Sequence, residues 1–360
     1  MRNKVTVSII MLGLLFFTYT GAWAQDIQFS QFYNVPLFIS PAFAGSVHQP
    51  RATIHQRLQW PKLDGKYITS FASFDTYSPK YNSGFGVYAL KDWQGSNTIS
   101  STEIGFQYSY ELHINSQLVF RPGLQLAMIS RYIDYADLRF PIQFNDEQGF
   151  FDPNNNYAGV PRKSFADISA GGVFYSKNLW LGFSTHHINT PNQSFYGDIS
   201  RLPAKFAVLG GYKFLFSNDK KKYYTDDDNE ISLTPTFHYK SQGKSDQFDL
   251  GLYGVYNQLL AGGWYRGIPF KRYEHRFQNN ESVVIFLGFK TAIGLKFGYS
   301  YDFTVSKLAI ARTGGSHEFN LTYLFTKKIK EEKTDASYAM PKLLILGHIY
   351  LLSNEFQFLF

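Results

Sequence analysis

Ile231-Ser232-Leu233-Thr234-Pro235-Thr236-Phe237-His238-Tyr239 puts an apolar residue at every odd position and a polar one at every even position. Only a strand sorts these side chains. Successive residues of a strand point to opposite faces, whereas helical spacing would scatter them around a cylinder. One face of this segment is therefore greasy and the other polar.

The same period recurs on either side. Ile293-Gly294-Leu295-Lys296-Phe297-Gly298-Tyr299-Ser300-Tyr301 keeps it without exception. Ile104-Gly105-Phe106-Gln107-Tyr108-Ser109-Tyr110 repeats it, and Phe248, Leu250, Leu252 and Tyr256 alternate with Gln247, Asp249 and Gly251. Strands are predicted over residues 51–58, 67–77, 83–92, 100–111, 117–131, 164–175 and 179–187. Seven more follow over 204–216, 230–239, 246–256, 259–266, 282–290, 293–302 and 317–325. That makes about fourteen, an even number, as bacterial outer-membrane barrels require. Many have the length of a tilted spanning strand, about 9–11 residues. A sandwich would alternate too, so compartment has to decide between the two.

Residues 1–24 read as a secretory signal. Arg2 and Lys4 are basic, residues 5–17 form an apolar core, and Ala22-Trp23-Ala24 is a small-x-small cleavage site. The apolar run falls short of the about 20 residues that a spanning helix needs. With no cysteine in the chain, disulfides, thiolate metal sites and a lipidated N-terminus are excluded. Removing the signal deletes two basic residues and takes the formal charge from +7 to +5, a scattered excess that does not point to nucleic acid. Aromatic residues make up 18% of the chain and lie spaced among polar ones, as expected where half of each strand meets lipid and half a wet lumen. The expected fold is an all-β, antiparallel transmembrane barrel in the outer membrane, over residues 51–326. Gly84, Gly86, Gly105 and Gly123 fall on its inward face, where small residues leave lumen space.

The connections carry independent information. Links after even-numbered strands are mostly tight, as at 113–116, 176–178, 257–258 and 291–292, although 217–229 is long. Those after odd strands run longer, at 132–163, 188–203, 267–281 and 303–316. Short periplasmic turns and long outer loops would then put both termini in the periplasm. Residues 25–50, with Pro36 and Pro41, do not alternate and have the length of an N-terminal plug or a periplasmic strap. Residues 327–360 form an extension whose apolar run, 343–352, is too short to span as a helix.

Candidates for chemistry are few. His186 and His187 are strand neighbours and so should point apart, which keeps them from sharing an ion. His48 and His55 flank the first strand and read as solvated or lumen-facing. Asp226-Asp227-Asp228 lacks the alternating oxygens and the glycine of a calcium loop and reads as a solvated turn. Arg266, Lys271, Arg272, His275 and Arg276 form a basic loop predicted to face outward, toward lipid phosphates or an acidic partner. No nucleophile elbow, phosphate loop or dinucleotide fingerprint is present. Neither an enzyme, a metal site nor a cofactor is expected.

Gln25-Asp26-Ile27-Gln28-Phe29-Ser30-Gln31-Phe32-Tyr33, Pro36-Leu37 and Pro41-Ala42-Phe43-Ala44-Gly45 together resemble the start of mature PorP/SprF proteins, which belong to the type IX secretion system of the Bacteroidota. Arg57-Leu58-Gln59-Trp60-Pro61, Gly298-Tyr299-Ser300-Tyr301-Asp302 and Gly314-Gly315-Ser316-His317-Glu318-Phe319 extend the resemblance to about residue 325. It implies an outer-membrane barrel that works with the type IX translocon in the export and surface attachment of large proteins. Gliding adhesins with a B-type C-terminal domain are such proteins. The extension after residue 325 departs from the pattern and leaves two usable assembly signals, Asn320–Phe325 and Phe356–Phe360. Contacts with an exported partner are expected at Phe29, Phe32, Tyr33, Trp60, Arg266 and Arg272. The alternative is a transporter of hydrophobic small molecules, a class with a similar strand count and an N-terminal plug.

Overall fold

The computed structural model describes residues 26–95, 98–135, 161–216, 230–272, 278–306 and 313–325. The signal segment, Asp226 to Asp228, His275, Arg276 and the C-terminal extension lie outside them.

Fourteen antiparallel strands follow one another round a closed barrel. They are β1 (Arg51–Gln59), β2 (Tyr67–Ser78), β3 (Ser83–Gln94), β4 (Ile99–Tyr110), β5 (Val119–Ile133), β6 (Arg162–Tyr175) and β7 (Leu179–His186). After them come β8 (Lys205–Tyr212), β9 (Ile231–Gln242), β10 (Ser245–Tyr256), β11 (Leu259–Arg272), β12 (Gln278–Lys290), β13 (Leu295–Thr304) and β14 (Ser316–Leu324). Short continuations, Leu112–His113 and Phe214–Leu215, lengthen β4 and β8 past an irregular residue. Each strand pairs with its neighbour in sequence, and β1 pairs with β14 in register Arg57↔Glu318 to close the ring. Closure leaves no full-length edge, which a bilayer would not tolerate.

The burial pattern is inverted relative to a water-soluble domain. Leu126 and Leu287 are 62% exposed, while Arg266 and Glu318 are fully buried. Ile104, Phe106, Phe183 and Leu252 join the outward belt, and Gln107, Ser109, Thr234 and His238 face inward, as the alternation predicts. Lipid is the solvent that makes such an outer surface stable.

Four expectations are corrected. The link at 267–281 is mostly strand: β11 and β12 run past it through register shifts at Gly267 and between Ile268 and Arg272. Ile293 sits in a turn, because the bond from Gly294 N to Thr291 O delays the start of β13. His186 and His187 both point inward, because His187 has left the strand with φ of 57° and the alternation breaks there. The inner wall is also not uniformly polar. Val284 and Phe286 on β12 are buried inside while Val283 and Ile285 are exposed outside, so this strand is apolar on both faces.

What covers that inner wall is the chain's own N-terminal part. Residues 26–49 run through the lumen from the rim of longer loops to the rim of short turns, in brief helical turns at Phe32–Asn34, Pro36–Ile39 and Pro41–Phe43. Asp26 bonds to Gln242, Lys205 and His187 at the first rim. At the other, Gly45 N bonds to Asp75, and Phe325 N to Pro50 O. The ends of the barrel itself, Arg51 and Leu324, share the short-turn rim as the loop lengths predict, but Asp26 lies at the opposite one. The inward glycines provide the room. A Cβ on Gly84 would stand 1.9 Å from Ala44 O, and one on Gly123 would stand 2.4 Å from Ala42 N.

Candidate functional site

The lumen is organised in three tiers, each joining the N-terminal segment to residues that only the barrel brings together. A segment with few backbone bonds of its own must find partners for its amides and carbonyls on the wall.

At the short-turn rim, Ala44 O accepts from Ser109 Oγ and Arg121 Nη2, both at 2.7 Å, and Gly45 N donates to Asp75 at 2.8 Å. Arg51 holds Asp75 by a two-bond fork, 2.9 Å on each arm. Glu111 takes Arg121 at 2.6 Å and His48 at 2.8 Å. Burial alone would raise the Glu111 carboxyl, but the hydrogen bond and charge of His48, with Arg121 and His113, pull it down to about 2.

The central tier is a buried ionic knot. Glu318 of β14 accepts Ser30 N at 2.7 Å and Gln31 N at 2.9 Å, takes His55 at 3.2 Å, and pairs with Arg57 of β1. Asp302 of β13 lies 3.3 Å from both Arg57 and Arg266, and Arg266 also reaches Asp249 at 3.1 Å. Ser30 Oγ sits among them, donating to Asp302 and accepting from Arg57 at 2.8 Å and Arg266 at 3.0 Å. Two guanidiniums thus meet three carboxylates, and Lys240, 4.0 Å from Asp249, supplies the third cation of the balance that burial demands. Below the knot, the aromatic side chains of the segment fill the space. Tyr33 packs against Tyr253, Trp264 and Phe286, Phe32 against Trp264 and His238, and Phe29 against Phe71 and His55.

At the long-loop rim, Asp26 meets His187 at 2.8 Å and Lys205 at 3.1 Å, and His187 turns its other nitrogen to Asp167 at 2.7 Å. Burial lowers the His187 imidazole, but the Asp26 charge and the bonds to Asp167 and Asp26 outweigh it and lift the group to about 9. Burial pushes Asp26 up, yet Lys205 and His187 hold it well below 3.8. The His187 contribution is thus complete below pH 6.5 and fades as pH rises through 9. That of Asp26 is complete above 3.8 and fades as pH falls toward its depressed value. Above pH 9 a neutral imidazole keeps one N–H and cannot donate to both aspartates. Amide protection of residues 26–31, normalised to intrinsic exchange, is expected to hold from about pH 4 to 9 and to drop on the alkaline side. His187→Gln should abolish the alkaline step; an unaltered step in that variant would refute the latch.

Next to this latch, a cavity of about 120 Å³ opens at the long-loop rim, lined among others by Phe38, Tyr88, Glu103, Arg131, Phe165 and Leu202. Arg131 reaches Gln193 and lies 5.8 Å from the Phe195 ring, so the loop after β7 folds over the mouth.

The residues expected to touch a partner fall into two groups. Phe29, Phe32, Tyr33 and Arg266 are buried in the lumen, and Arg266 is a wall residue of β11 rather than part of an outward loop. Trp60 and Arg272 are at the long-loop rim. Trp60 has φ of 55° and lies edge-on to Tyr67 at 5.4 Å; Arg272 closes β11. His48 and His55 face the lumen and do find carboxylates, Glu111 and Glu318, which spacing along the chain does not reveal. Sequence reasoning missed Ser30, Arg57, Asp249, Asp302 and Glu318. For the four charged ones, the one legible signal is a full charge on the inward face of a barrel strand, where it needs a partner; Ser30 has none.

The sequence profile of the family described as type IX secretion system membrane protein PorP/SprF matches residues 22–323. No individual curated protein matches significantly. Among solved structures, the P. putida toluene transporter TodX is similar over 82% of this chain and 94% of its own, at 9% identity and TM-score 0.45. The Acinetobacter baumannii outer membrane protein Omp33 is similar over 77% and 98%, at 8% identity and TM-score 0.40. A Pseudomonas aeruginosa FadL homologue is similar over 80% and 93%, at 12% identity and TM-score 0.38.

Proposed function

The chain belongs to the PorP/SprF family of type IX secretion system membrane proteins, and on that premise we propose that it is a docking barrel. It holds an exported protein, of the adhesin class with a B-type C-terminal domain, at the outer face of the outer membrane, alongside the translocon. No bond is made or broken.

The observation that carries this reading is the filled lumen. Residues 26–49 bond to the wall at both rims and at mid-height, so the barrel axis offers no route for a polypeptide. The segment acts as a plug, and the work falls to the rims. The long-loop rim faces the outside, and Trp60 and Arg272 belong to the contact surface there. Phe29, Phe32, Tyr33 and Arg266 serve instead by fixing the plug under that surface. Transport of hydrophobic small molecules would need a continuous apolar passage. The cavity at the mouth is about 120 Å³, with Asp26, Glu103, Arg131 and Lys205 on its walls. Ligand sites usually offer roughly 300–1,000 Å³.

Deleting the protein should remove one exported protein, or one small class, from the cell surface by at least an order of magnitude, leaving other type IX cargo in place. Quantitative surface proteomics measures this. Undiminished retention of every surface protein would end the docking reading.

A further inference from the structure

The β5–β6 hairpin stands taller than its neighbour. β5 and β6 pair up to Tyr132↔Arg162, whereas β6 and β7 pair only as far as Ala170↔Thr185. Two bonds fix the parity of what is left over. Ile133 N donates to Pro161 O at 3.0 Å, so odd residues of β6 bond toward β5. Ile188 N donates to Ile168 O at 2.9 Å, so even residues face the other way. Asn189 takes up Ile168 N and Ala166 O through its side chain, at 3.2 and 2.8 Å. Beyond it, the amide of Ala166 and both backbone groups of Ser164 and Arg162 have no partner among the described residues. This open edge, residues 162–166, spans about 16 Å at 3.3 Å per residue.

Its height decides what solvent it meets. The outward side chains lower on this hairpin are Leu124, Leu126, Met128 and Ile168, all exposed and apolar. Above them come Ser130 and Ser164, then Arg162 beside the exposed Tyr132. Met128, the last of the apolar four, pairs with Ala166, so the apolar belt ends at the foot of the edge. The groups of Ser164 and Arg162 stand above it in water, where an unpaired ladder is tolerated and can accept another strand. Beyond Asn189 the loop after β7 turns inward, and its Gln193 accepts from Arg131. Register puts Lys163 opposite Arg131 on the inward face and Arg162 opposite Tyr132 on the outward face, so the top of the edge carries one cation on each side. The nearby carboxylate Asp167 is held by His187.

We propose that the upper edge of β6 is where the exported partner docks, by adding one extended segment of about five residues with acidic side chains at the Arg162 end. Main-chain bonds to Arg162, Ser164 and Ala166 carry the addition. Inward side chains of the added strand lie over Phe165 and the mouth cavity, and its carboxylates meet Arg162 on the outer side and Lys163 on the inner side. The proposal rests on the docking reading and places it.

Ser164→Pro tests it in the full-length protein in cells. Proline deletes the amide on the open edge and leaves the β5–β6 bonds intact, because those belong to odd residues. The deletion strain first identifies the surface protein that depends on the barrel. S164P is expected to lower that protein at the surface at least tenfold with barrel abundance and heat-modifiable mobility unchanged, while S164A, which keeps the amide, retains it. Where S164P lowers barrel abundance, a benzophenone amino acid at position 164 decides: it should cross-link to that same protein, and an absence of adduct overturns the proposal. A folded S164P barrel that retains its protein at the wild-type level overturns the edge site but leaves the docking reading standing. A deletion strain that loses no surface protein overturns both.

Discussion

Glu318→Ala is expected to free the N-terminal segment from the lumen and destabilise the folded barrel by about 3–5 kcal/mol, the range for breaking a buried ion pair from one side. The carboxylate holds four groups at once: Arg57, His55 and the amides of Ser30 and Gln31. Alanine strands a guanidinium beside Arg266 and leaves two buried N–H groups without acceptors. Glu318→Gln, which keeps one acceptor oxygen, should lose less. The temperature at which the compact electrophoretic band converts to the extended one reports the barrel, and protease cleavage within residues 26–49 reports the segment. Wild-type values for both in Glu318→Ala would mean that the knot does not hold the segment.

Gly123→Val should expel the lower half of the segment while the wall survives. A Cβ there would fall 2.4 Å from Ala42 N and 2.5 Å from the Pro41 carbonyl carbon. Both belong to backbone that cannot rotate away as a side chain would. Overpacking of a built core costs about 1–3 kcal/mol, and contacts this short lie at or beyond the upper end. The segment is the weaker side of the clash, because β5 is held by a continuous ladder on both edges. Once Ala44 O leaves Ser109 and Arg121, the lumen admits water. Planar bilayers containing the variant should conduct ions, whereas wild-type protein should be nearly silent. Equal conductance in the two would refute the claim that residues 26–49 block the axis.

The wall was far more legible in the sequence than what fills it. Alternation along Ile104 to Tyr110 or Ile231 to Tyr239 reads directly because lipid demands it at every second residue. It fails on β12, where Phe286 is inward and apolar because Tyr33 covers it, a partner about 250 residues away. His187 misleads for a local reason: a left-handed backbone at the strand end undoes the parity that adjacency in sequence implies. The ionic knot shows locally only as charges on inward strand positions, which do not say what they pair with. Ser30, Arg57, Asp249, Asp302 and Glu318 each lie in ordinary-looking segments, and only closure of the ring brings them within bonding distance. The motifs around Ser30, Arg57, Asp302 and Glu318 that carried the family resemblance prove to be parts of one cluster.

The knot also lies across the join between the first and last strands, with Arg57 of β1 directly opposite Glu318 of β14. Those two strands are the farthest apart in the barrel's sequence, so their meeting carries the largest loop-closure penalty. The segment binds both shores of that gap through Ser30 and Gln31. It is therefore expected to act as a mandrel around which the cylinder is zipped. A chain that tried to shut on an empty interior would have to bring opposed charges together without the amides that complete their coordination, so closure is expected to slow when the leading residues are absent.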